Sequence, residues 1–143
     1  MRNLLRILPA LLLLNLSAQA MDALEPYRWK YRIIAYTLHD SDKAAFEHAR
    51  MQSQPAARER DIRYLELEPK SKTQSPDHLN FPADKLDPLR TKLGATSGQT
   101  QLILIGKDGD VKSRIKEIDL QRLYDQIDQM PMRRSEIRSS QSE

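Results

Sequence analysis

A chain of 143 residues with 23 lysines and arginines, 20 aspartates and glutamates and no cysteine can form no disulfide and run no thiol-based mechanism. Its formal charge of +3 does not point to nucleic acid either. Arg2 and Arg6 lie in an N-terminal stretch that reads as an export signal, and without them 21 basic side chains face 20 acidic ones, too even a balance for the positive field that polyanion binding needs.

That stretch has a basic start, an apolar run from Ile7 to Leu16 and a small-residue exit at Ala18-Gln19-Ala20, which predicts a signal peptide over residues 1–20 cleaved after Ala20. The run is roughly half of the about 20 apolar residues that span a bilayer, so no stable membrane anchor is expected after cleavage. Without a cysteine after the cleavage site, a lipid-modified export signal is excluded. The expected location is periplasmic or secreted. Residues 21–138 are the size of one domain, with a single core held by packing and hydrogen bonds, and 139–143 read as a disordered polar tail.

The mature part opens on Leu24 to Arg32, LEPYRWKYR, where aromatic and basic side chains alternate, followed by Ile33 to Leu38, a β-branched and aromatic run of strand length. Such alternation can stack on single-stranded nucleic acid, but the even charge balance favours Trp29 and its neighbours covering an edge of the core. After His39-Asp40-Ser41, where Asp40 or Ser41 can accept the free N–H groups of a helix start, Ala45, Phe46 and Ala49 recur at helical spacing, and Pro55 opens a second short turn. Ile62 to Glu68 alternates as a strand, with Leu65 and Leu67 placed irregularly. Pro69 to Pro82 holds three prolines and polar turn-formers and reads as the long connection of the domain. Leu86, Leu89 and Leu93 predict a short helix closed by Gly94, with Pro88 tolerable only near its start.

The strongest local signal is the apolar run Leu102 to Ile105 and the strand Val111 to Ile115 around Lys107-Asp108-Gly109, since Asp-Gly tolerates the positive φ of tight hairpins. Asp119 then caps a helix whose Leu120, Leu123, Tyr124, Ile127 and Met130 share one face. Pro131 stops it, Met132 folds back onto the core, and Arg133, Arg134 and Arg138 either answer that helix's carboxylates or face a partner. The order is β-α-β-α-β-β-α: a parallel βαβ unit plus an antiparallel hairpin, the plan of a single α/β thioredoxin-like domain behind a signal-peptide helix.

Three stretches, LEPYRWKYR, LILIGKDGDVKSR and LYDQIDQMPMRRSEIR, make the chain similar to the small exported bacterial proteins grouped as domain of unknown function 4174. The resemblance runs over nearly all of Leu24 to Arg138. It implies a thioredoxin-like or peroxiredoxin-like fold, with relatives among extracellular animal proteins carrying sushi repeats, and it supplies no catalytic residues. His39-Asp40-Ser41-Asp42-Lys43 stands where an active thioredoxin keeps its cysteine, and Ser97 to Gln101 where it keeps a cis-proline, so disulfide exchange and thiol peroxidase chemistry are excluded.

No catalytic residue, metal ligand set or cofactor is therefore expected. Asp108 and Asp110 lack the further ligands of a calcium loop. The reading is a non-catalytic module binding a protein or small ligand through Lys107, Asp108, Arg133, Arg134 and Arg138. The alternative is an enzyme or small-anion receptor in which His39 and Asp40 serve a ligand held on the amides of the first helix.

Overall fold

A computed structural model describes residues 21–142, so the predicted signal segment lies outside the described residues. Strand β1 (Arg32–Thr37) leads through a single 3-10 turn at Asp40–Asp42 into helices α1 (Lys43–Gln52) and α2 (Gln54–Glu59). Strand β2 (Ile62–Glu66), helix α3 (Ala83–Leu93), strands β3 (Gln101–Ile105) and β4 (Val111–Ile115), and helices α4 (Leu120–Asp128) and α5 (Pro131–Ser140) follow. The sheet order is β2-β1-β3-β4, with β1 and β2 parallel and both other pairs antiparallel. The mixed α/β class, the βαβ unit and the closing hairpin match the expected plan.

Both faces of the sheet are covered, which explains the spacing of Leu65 and Leu67. On one face Ile34, Tyr36, Tyr64, Leu102 and Leu104 meet Phe46 of α1 and Leu123, Tyr124 and Ile127 of α4. On the other, Ile33, Ala35, Leu65, Leu67, Ile103 and Ile105 meet Leu86, Leu89 and Leu93 of α3. A strand buried on both sides reads as a continuous apolar run. Each of the leucine, isoleucine and phenylalanine side chains contributes roughly 1.5–3 kcal/mol by leaving water.

Several local expectations are corrected. Pro88 lies inside α3, where the packed leucines outweigh the backbone bond that proline cannot make. Gly94 does close that helix in the left-handed conformation, at φ 64°. Pro131 does more than stop α4, because it is the first residue of α5, a position where a missing N–H costs nothing, and α5 continues to Ser140 into the expected polar tail. Met132 does not fold inward; it is exposed, whereas Arg133 is buried and Met130 packs on the core. The connection from Pro69 to Pro82 docks at its centre: Tyr64 N–H donates to Asp77 O and Leu79 N–H to Tyr64 O, both at 2.8 Å, adding a bridge to the outer edge of β2.

Candidate functional site

Lys107 and Arg133 come together, and what brings them together is an ion network. Glu136 on α5 accepts from both Arg32 guanidinium nitrogens at 3.2 Å and from Lys107 Nζ at 2.6 Å. Lys107 also reaches Asp61 at 2.9 Å. Arg133 donates to Glu59 Oε1 at 2.6 Å and to the Glu59 carbonyl at 3.0 Å, and Arg60 holds Asp128 at 2.7 Å. Lys107 and Arg32 keep the Glu136 carboxyl below its ordinary range against the opposing effect of burial, and Arg60 and Arg133 do the same for Asp128. These cations are engaged by the fold. Arg134 donates to Gln129 at 2.6 Å on the surface, and Arg138 is exposed.

His39 and Asp40 lie at the other end of the sheet. Ile33 pairs with Ile105 and Thr37 with Gln101. Lys107 and His39 are therefore separated by at least four strand residues, about 13 Å at the usual rise. The expected carboxylate cap is also replaced: His39 Nδ1 accepts from Ser41 N–H at 3.3 Å, Asp40 pairs with Lys43 at 2.7 Å, and Asp42 accepts from the Thr100 hydroxyl. The hydrogen bond from Lys43 holds Asp40 below its ordinary carboxylate range. Two carboxylates in this turn oppose an anion on the helix amides.

The sequence reading missed a buried relay under the docked connection. His78 Nε2 lies 2.9 Å from the Tyr36 hydroxyl and its Nδ1 lies 3.3 Å from Asp77 Oδ1. Asp77 receives Arg50 at 2.6 Å, while Tyr64, Tyr124 and Ser53 form a chain of hydroxyls at 2.8 Å. Burial, then Arg50, pushes the His78 imidazolium down, and burial, then Glu66, pushes the Tyr36 phenol up. A neutral imidazole that accepts from Tyr36 and donates to Asp77 satisfies all three groups. Arg50 is held in turn by the half-exposed Glu47 of α1, and the visible work of the relay is to fasten the connection to the sheet. Its one sequence signal was Asp77-His78 in front of the apolar pair Leu79 and Phe81.

A concavity lies where the N-terminal arm meets the β3–β4 turn, and a second lies between the Pro69–Pro82 connection and α3. Trp29 N–H donates to Lys107 O at 2.7 Å and Arg28 Nε to Asp108 O at 2.8 Å. Trp29 is held at φ 66° and is 59% exposed, with the Arg28 guanidinium 5.3 Å from its ring centre, so the expectation that it covers the core is overturned. Asp61, the Lys107 partner, has φ 52°. Positive φ costs a non-glycine residue roughly 1–2 kcal/mol and clusters where structure is kept for function. Beside Trp29 is a recess of about 250 Å³ with Leu24, Ile33 and Ile105 in its lining, Tyr27 and Tyr31 as aromatic walls, and Glu25, Arg28, Asp108 and Asp110 as its polar members. Of the sequence candidates, Asp108 belongs to this recess.

No group of three or more histidines, aspartates and glutamates among the described residues is arranged to hold a metal ion, and no helix among them is long and apolar enough to cross a membrane. Fold and sites define a cysteine-free mixed α/β domain with two polar clusters turned to internal fastening and an open recess beside Trp29. The chain belongs to the family described as Domain of unknown function (DUF4174), which it matches over residues 23–136. No curated protein and no solved structure matches it.

Proposed function

We propose that the chain is an exported, non-catalytic binding module on a thioredoxin-like scaffold, and that it engages a partner protein through Trp29 and the recess beside it. The carrying observation is Trp29 itself: a large aromatic kept exposed in a conformation that costs energy, hydrogen-bonded to the hairpin turn. Tryptophan, tyrosine and arginine are the side chains that dominate binding energy at protein interfaces, and Arg28, Trp29, Tyr27 and Tyr31 stand together here. Export is supported by the residue pattern of 1–20, and the thioredoxin-like assignment by the strand order and directions.

The test is site-specific photocrosslinking in cells, with Trp29→p-benzoylphenylalanine against the same substitution at the exposed Met51 of α1. One discrete, saturable adduct from position 29 and none from position 51 is expected. Identical adduct patterns at the two positions, or none at position 29, overturns the reading. Trp29→Gly in the otherwise native chain should melt no lower than wild type, since glycine bears no left-handed penalty. A large drop in Tm would make Trp29 a structural residue instead.

A further inference from the structure

Resting on that reading, we infer that the partner is a second copy of this chain, with Trp29 of each copy seated in the recess of the other. The seat and the group that fills it lie side by side on one surface. Arg28 and Asp108 line the recess, and their neighbours in sequence, Trp29 and Lys107, are joined by the 2.7 Å bond from Trp29 N–H to Lys107 O. The indole does not fill its own recess, since it is absent from the lining and 59% exposed. A projecting group beside a hollow that suits it is what a two-fold pairing requires, because each copy then gives what the other receives.

The chemistry of the hollow selects an indole. Leu24, Ile33 and Ile105 are its apolar members, and Tyr27 and Tyr31, with ring centres 6.5 Å apart and planes inclined at 48°, form an aromatic corner against which a third ring packs by edge or offset face. Cations stand around it: Arg28 in the lining, Arg63 at 4.1 Å from the Tyr31 ring centre, and the α-ammonium that cleavage after Ala20 would leave on Met21. The ring that cations favour most is the neutral one of tryptophan, and Trp29 is the only tryptophan in the chain. Charge lets the copy approach. A patch of large net charge repels itself across a two-fold axis, but here Arg28 answers Glu25 at 3.5 Å, Lys112 answers Asp108 at 2.6 Å, and Asp110 remains to set against the Met21 ammonium. A volume of about 250 Å³, below the range of roughly 300–1,000 Å³ typical of sites for whole small molecules, suits one large side chain.

The single tryptophan makes the pairing visible. Two reciprocal seats of one side chain each are a small contact, so the association should be weak. In sedimentation of the exported chain, the mass should rise from one copy toward two as concentration passes through the micromolar range, and Trp29 emission should move to shorter wavelength at the same midpoint. Trp29→Gly should weaken self-association about tenfold or more. In a mixture of ¹³C-labelled and unlabelled wild-type chain, isotope-filtered NOEs should link the indole of one copy to the Tyr27 and Tyr31 rings of the other. A chain that stays monomeric at the highest concentration, a dimer whose Trp29 emission does not change, or a dimer without those NOEs overturns the inference. The adduct from position 29 separates this failure from failure of the module itself. An adduct of two copies of the chain is expected, whereas an adduct with a different protein overturns the second copy as partner and leaves the module reading standing.

Discussion

Helix α5 and the Pro69–Pro82 connection are both fastened to the sheet by polar groups, and the two fastenings are built in opposite ways. At α5 the groups are ions with several partners each: Glu136 is reached by Arg32, Lys107 and Arg133, and Arg133 by Glu59, Asp128 and Glu136. Their carboxylates keep water on one side, with Glu59 at 64% and Asp128 at 30% side-chain exposure. Under the connection the contacts run in series from the half-exposed Glu47 through Arg50 and Asp77, only 5% and 6% exposed, to His78 and Tyr36. Redundant, half-wet ions tolerate the loss of a member, whereas a dry series leaves an orphan when it is cut.

The largest expected effect follows from that orphan. Arg50→Ala should cost about 3–5 kcal/mol in urea unfolding, because Asp77 stays buried with Ser75 and His78 but without its arginine. Arg133→Ala should cost less, about 1–3 kcal/mol, since Asp128 keeps Arg60 and Glu59 turns to solvent. Equal losses in the two variants would break the contrast between series and redundancy.

A third measurement separates the clusters by pH. The His78 imidazolium is disfavoured in the fold, chiefly by burial, so the unfolded chain binds that proton more readily. Stability from this group is complete above the ordinary histidine value of about 6.5 and is lost as pH falls below it, with a slope of at most about 1.4 kcal/mol per pH unit. The carboxyls of Asp128 and Glu136 are depressed by their cations, so their contribution is present above the ordinary carboxylate range, about 4, and is lost as pH falls through their lower folded values. Asp77 joins that lower window, held down by Ser75 and Arg50 against burial. His78→Gln, which retains an acceptor for Tyr36, should flatten the dependence between pH 7 and 5 and leave the acid limb intact. A wild-type chain whose stability is flat across pH 7 to 5 would remove His78 from the fastening.

The same contrast explains what could be read in advance. The β-branched and aromatic run of β1, the Asp-Gly turn, the Asp119 cap and the α4 stripe are local patterns, and all four elements formed where they lay. The relay is invisible in the sequence because its members, Tyr36, Arg50, Tyr64, Asp77-His78 and Tyr124, come from five separate places in the chain and meet only in the fold. The recess was half legible: Asp108 was singled out for its turn, but nothing local says that Tyr27 and Tyr31 face it. The even charge balance favours Trp29 covering an edge of the core, and the left-handed backbone that turns it outward has no sequence signature in a non-glycine residue. Arg133 and Arg134 read alike as neighbours in a basic pair, yet α5 periodicity buries one and exposes the other.

That last pair supplies the smallest expected effect. The Arg134 guanidinium donates to Gln129, and Arg138 is exposed four residues further along the same helix. Arg134→Ala with Arg138→Ala should change unfolding free energy by no more than about 0.5 kcal/mol, the usual range for surface sites away from packed features. A loss approaching that of Arg133→Ala would mean that the α5 network extends to the helix surface and is less redundant than its geometry indicates. Stability near wild type makes the double variant a clean probe of function. If the partner adduct at position 29 also survives, both arginines are removed from the interface. If it is lost from a fully folded protein, the binding surface extends from the recess past Lys107 and Glu136 onto α5.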